Sequence, residues 1–90
     1  MNIVIYGKSN CSYCKLAERA LQQKSIPYQY KSADAPEVVQ HLIENVSPSI
    51  RSVPVVLVDG VYIGGYEELQ NHIRNNLYEE NGEYTNILKG

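Results

Sequence analysis

Along this chain the spacing of apolar positions switches repeatedly between short runs and a helical period. Residues 2–6, NIVIY, form an apolar run of strand length that Gly7 punctuates. From Ser12 the period becomes helical: Cys14, Ala17, Ala20 and Leu21 fall on one face, and Lys15, Glu18, Arg19 and Gln22 on the other. Ile26-Pro27 is expected to end this helix, because the residue before a proline is pushed out of helical geometry. YQYK at 28–31 then alternates like a second strand. Asp34 or Ala35 ahead of Pro36 reads as an N-cap and first turn, with Val38, Val39, Leu42, Ile43 and Val46 lining a second helix that Pro48 closes.

VPVVLV at 53–58 and VYI at 61–63 flank Asp59-Gly60, a two-residue signal for an antiparallel hairpin. After Gly64-Gly65, the segment YEELQNHIRNNL repeats Leu69, Ile73 and Leu77 every four residues as the stripe of a third helix. The order is β-α-β-α-β-β-α. A strand–helix–strand unit demands a right-handed parallel crossover, and the hairpin adds an antiparallel edge. The expected fold is α/β: one mixed four-stranded sheet with three helices packed on its faces. Residues 1–78 make a single domain, and 79–90 a polar tail in which Asn81-Gly82 breaks the chain and Ile87 and Leu88 could dock a last turn.

Composition narrows the partners. Residues 1–31 carry a net charge of +4 and the remainder −6, for −2 overall. No basic run offers a footprint for nucleic acid, but positive potential gathers around the cysteines. The longest aliphatic run is far below the roughly 20 residues a bilayer requires, and the first residues lack a basic, then apolar, leader pattern. No membrane partner is expected, and the protein is expected to be cytoplasmic.

The chemistry lies in KSNCSYCK at 8–15, which holds both cysteines. As a structural staple, C-x-x-C closes too short a loop to remove much entropy from the unfolded chain. As half of a zinc site it would need His41 and His72, which sit on predicted helices without finger spacing. A redox pair fits better, because residues three apart across a first helical turn hold their Cα atoms about 5 to 6 Å apart, within disulfide range. Cys11, just before the helix, faces unpaired N–H groups, the positive end of the helix dipole, Lys8 and Lys15. All of these should hold its thiol below the ordinary pKa and make it the nucleophile. Cys14, one turn inside on the apolar face, should act second as the resolving thiol.

Three separated signals then agree: Cys11-Ser12-Tyr13-Cys14 after the first strand, Ser52-Val53-Pro54 before the third, and Ile63-Gly64-Gly65-Tyr66-Glu67 opening the last helix. With them the chain resembles the glutaredoxins, a branch of the thioredoxin-fold proteins, over roughly residues 2–77. The resemblance implies a thioredoxin-like fold and a glutathione-dependent thiol–disulfide oxidoreductase. Such an enzyme acts as a monomer, reduces protein–glutathione mixed disulfides and protein disulfides, and uses glutathione as reducing cosubstrate without a required metal.

It also implies a glutathione site. Val53 and a cis Pro54 would pair with the cysteinyl backbone of the ligand, and Gly65, Tyr66 and Glu67 would take the γ-glutamyl end. Lys8 and Arg51 would meet the glycyl carboxylate, and Tyr13 would wall the sulfur site. His41 is read as a surface histidine. Ser12 stands where the family more often has proline, restoring one N–H donor and adding a hydroxyl. Members with serine there suggest an alternative, a [2Fe–2S] carrier dimer with Cys11 as cluster ligand. A thioredoxin-like electron donor to ribonucleotide reductase is the other alternative.

Overall fold

A computed structural model describes residues 2–77, so the polar tail, with Ile87 and Leu88, lies outside the described residues. The strands are β1 (Ile3–Gly7), β2 (Gln29–Ser32), β3 (Val55–Val58) and β4 (Val61–Gly64). The helices are α1 (Ser12–Gln23), α2 (Pro36–Asn45) and α3 (Tyr66–His72), the last running into a π-helical turn at Ile73–Leu77. The sheet order is β2-β1-β3-β4, with β1 parallel to β2 and antiparallel to β3, and β3 antiparallel to β4. This is the expected mixed sheet with helices on both faces.

Two apolar layers follow from strand alternation. Ile3 and Ile5 of β1 and Val56 and Val58 of β3 face one way, onto Ala17, Leu21, Leu69 and Ile73 of α1 and the last helical segment. Val55 and Leu57 face the other way, onto Leu42 of α2 and Ile50. Because both faces are covered, β3 reads in the sequence as an unbroken aliphatic run and is buried throughout.

The elements depart from the sequence expectation at their ends. β1 and β3 occupy the middle, so β2 is an edge strand; its four residues are all exposed, and it starts at Gln29 rather than Tyr28. Tyr28 instead turns back to α1, its hydroxyl donating to Glu18 Oε2 and accepting from Gln22 Nε2, both at 2.9 Å. α1 stops before Ile26-Pro27. Ser25 takes the left-handed conformation at φ 56°, Ser25 N–H donates to the Gln22 carbonyl (3.1 Å) and Ile26 N–H to that of Leu21 (3.0 Å), a paired closure that caps the last carbonyls. β3 starts at Val55, since Pro54 has no N–H for the ladder.

Val46 is the C-cap of α2 and is exposed rather than part of its buried side. In the third helix Leu69 and Ile73 are buried as expected. The α-helical turns of α3 give way to the wider π-helical turn from Ile73. The side chain of Leu77 lies outside the described residues. Asp59 (φ 52°) and Gly60 (φ 83°) form the hairpin turn, and Asp59 ties it to the start of β1: its Oδ1 accepts from Asn2 N–H and its N–H donates to the Asn2 carbonyl, both 2.8 Å. Among the described residues no helix is long and apolar enough to cross a membrane.

Candidate active site

The loop after β1 ends at Cys11, and α1 begins directly behind it with Cys14 in its first turn. Cys11 is the N-cap of α1, in extended conformation, and its Sγ accepts from the Cys14 N–H at 3.1 Å. The sulfur thus stands where a capping oxygen usually does, at the positive end of twelve helical residues. Cys11 and Cys14 are joined as a disulfide with Cα atoms 5.3 Å apart. Cys11 is half-buried while Cys14 is fully buried, so an external thiol has access to the first sulfur.

Cys11 Sγ also lies 4.0 Å from the Val53 carbonyl oxygen, which brings the loop before β3 against the cysteine. The Val53–Pro54 bond is cis. Beside it a cavity of about 410 Å³ gathers Tyr13, Val53, Pro54, Gly65, Tyr66 and Glu67, six of the residues expected at the site. The Tyr13 and Tyr66 rings meet with centroids 5.9 Å apart at an interplanar angle of 39°. Lys8 and Arg51 are exposed outside this lining; the Lys8 carbonyl accepts from Cys11 N–H (3.3 Å), and the Arg51 guanidinium donates to the Pro48 carbonyl (3.0 Å).

Two neighbouring carboxylates of the lining do different things. Glu68 folds back so that its Oε1 accepts from Gly65 N–H at 2.8 Å and closes the start of α3. Gly64 makes room for this: its φ is 129°, and a Cβ there would lie 2.5 Å from Glu68 Cγ. The capping acid of this helix is therefore Glu68, and Glu67 is exposed beside it. Sequence spacing alone put both acids at the helix start; only the fold separates them. Ser52, the first residue of the motif before β3, also lines the cavity, as does Tyr62, which the sequence did not single out because a strand residue carries no motif signal.

Of the two N-cap candidates for α2, Ala35 takes the position and caps with no side-chain bond. Asp34 instead anchors the cysteine loop: its Oδ1 accepts from Ser9 N–H (2.9 Å) and Ser9 Oγ (3.3 Å), and its Oδ2 accepts from Ser32 Oγ (3.0 Å). These contacts, led by the Ser9 N–H, hold its carboxyl below the usual aspartate value. A folded pKa below the unfolded one gives stability that is complete above the unfolded value and lost as pH falls through the folded one. Asp34→Asn is therefore expected to melt below the wild type at neutral pH, with the gap closing as the buffer is acidified beneath the ordinary aspartate range. Paired melting curves against pH measure this, and a gap that is constant in pH would count against the anchor.

His41, exposed on α2, lies beside the Asn45 amide at 3.1 Å. Among the described residues no three metal-ligating side chains converge.

The glutaredoxin family model matches residues 3–63. Glutaredoxin 1 of Escherichia coli K12 is 31% identical over 83 residues, covering 86% of this chain and 98% of that protein. The solution structure of oxidised Escherichia coli glutaredoxin superimposes with a TM-score of 0.73 at 30% identity, over 87% of this chain and 99% of that one. A buckwheat glutaredoxin–glutathione complex gives a TM-score of 0.70 at 25% identity, covering 81% and 68% of the two chains.

Proposed function

Because this chain belongs to the glutaredoxin family and is a thiol–disulfide oxidoreductase with a redox-active Cys11–Cys14 pair, we propose that its electrons come from glutathione and that Cys11 is the attacking sulfur. The observation that carries this reading is the accessible Cys11 sulfur at a helix N-terminus, 4.0 Å from the Val53 carbonyl on the rim of a cavity large enough for a peptide-sized thiol. In the proposed pose the backbone of Val53 pairs with the cysteinyl unit of glutathione. The Gly65-Tyr66-Glu67 segment receives the γ-glutamyl end, with the exposed Glu67 carboxylate free of the capping role and able to accept from the ligand's ammonium. Lys8 and Arg51, on the loops before α1 and β3, supply positive charge for the glycyl carboxylate. The Tyr13–Tyr66 pair walls the sulfur site.

Chemistry follows from the asymmetry of the two sulfurs. The Cys11 thiolate attacks the glutathione sulfur of a glutathionylated protein, bonds to it and expels the protein thiolate; a second glutathione thiolate attacks the same glutathione sulfur and frees Cys11. With a protein disulfide, Cys11 forms a mixed disulfide with the substrate. Cys14 then attacks Cys11 Sγ, releasing the substrate thiol and closing the pair. The partners are glutathione and disulfide-bearing proteins, met by a monomer in the cytoplasm.

A trapping experiment tests the assignment. Cys14→Ser protein incubated with oxidised glutathione is expected to carry one glutathione per chain, located on Cys11 by peptide mass spectrometry. A chain left unmodified under conditions that oxidise the wild-type pair would refute the glutathione site.

A further inference from the structure

Ile3, Ile5 and Gly7 alternate onto the buried face of β1, and at Gly7 there is no side chain to fill the layer. A Cβ built on Gly7 would lie 2.5 Å from the Tyr30 hydroxyl oxygen and 2.9 Å from Cys14 Sγ. The phenol and the buried sulfur therefore share the methyl-sized space that glycine leaves open. Tyr30 reaches it from the edge strand: it is the register partner of Ile5 in the parallel β1–β2 pair and projects to the same face.

Tyr30 differs from its neighbour on this face. The Tyr28 hydroxyl is held between Glu18 and Gln22, whereas the Tyr30 hydroxyl makes no hydrogen bond among the described residues. Partial burial, and then the negative charges of Glu18 and Asp34, raise its pKa above the usual phenol value. It thus stays protonated at neutral pH, a donor with no protein acceptor among the described residues, and it reaches the space beside Gly7 that is also flanked by a sulfur without solvent contact.

We propose that Tyr30 is the hydrogen-bond donor that receives the charge on Cys14 when the Cys11–Cys14 disulfide opens or closes. This rests on the reading of Cys11 as the attacked and Cys14 as the resolving sulfur. In the opening step an external thiolate bonds to the accessible Cys11 Sγ. The Cys11–Cys14 bond breaks, and its electron pair stays on Cys14 Sγ. A bare thiolate at a fully buried position is costly, and a hydroxyl aimed into the same space lowers that cost as the charge appears. The proton that finally neutralises Cys14 comes from water through the part-exposed phenol. In the closing step the same bond supports the Cys14 thiolate as it attacks Cys11 Sγ and expels the bound thiol.

Tyr30→Phe keeps the ring and removes the donor. Reduction of the oxidised protein by dithiothreitol, followed by stopped flow at neutral pH, is expected to slow about tenfold, the loss of one charge-assisted hydrogen bond. The melting temperatures of the oxidised forms should agree. Oxidised protein with 3-fluorotyrosine in place of Tyr30, a stronger donor of nearly the same shape, should open at or above the wild-type rate. Equal rates for Tyr30→Phe and wild type would overturn the proposal, as would equal slowing by phenylalanine and 3-fluorotyrosine, which would make the effect one of packing. Cys14→Ser protein that reduced disulfide substrates at the wild-type rate would remove the resolving role of Cys14 itself, an outcome distinct from either result at Tyr30.

Discussion

Cys11→Ser is expected to abolish turnover on both glutathionylated peptides and protein disulfides, a loss on the order of a thousandfold or more, as for removal of any covalent nucleophile. Cys14→Ser should lose disulfide reduction and keep deglutathionylation. The split follows from exposure. Cys11 caps α1 and is half-buried while Cys14 is fully buried, so in the proposed reaction the first sulfur meets the substrate and the second acts on what the first has bound. Assays of the two variants on the two substrate types measure the split directly. Parallel losses in both variants would mean that the pair acts as one unit rather than in sequence.

The second large effect is on stability. Ile5 is fully buried, with Val56 and Tyr30 as its strand partners and with Ala17 and Leu21 in the same apolar layer. Ile5→Ala leaves a void in the layer that joins α1 to the sheet, at a cost of about 2 to 5 kcal/mol. For a chain of this size that corresponds to a melting temperature lower by roughly 10 to 25 °C. Differential scanning calorimetry measures it. Because Ile5 lies on the layer that carries Cys14, the variant should also show looser packing behind the disulfide. A shift of only a degree or two would mean that the two faces of the sheet share the core less evenly than the burial indicates.

Much of this was legible in the sequence because its signals are local. The strand run at 2–6, the helical period from Ser12, Asp59-Gly60 between two aliphatic runs and the Leu69–Ile73 spacing each specify an element within a few residues of themselves. Their order then leaves few ways to pack. The disulfide geometry was legible for the same reason, since a separation of three residues across the N-cap and first turn of one helix sets it.

What escaped depends on contacts between distant segments. Nothing near Asp34 signals that its carboxylate will anchor Ser9, 25 residues away, instead of capping the helix beside it. Gly7 reads as punctuation after a strand; only the crossover that lays β2 alongside β1 reveals that its missing side chain admits both the Tyr30 hydroxyl and Cys14. Glu67 and Glu68 are indistinguishable as a pair of acids at a helix start. The backbone turn at Gly64 decides which one folds back.

If glutathione supplies the electrons, the enzyme must depend on which reductant it is given. With NADPH and a glutathionylated peptide, the wild-type protein should turn over in the presence of glutathione and glutathione reductase, and not with thioredoxin reductase in their place. Turnover sustained by thioredoxin reductase and indifferent to glutathione would contradict it.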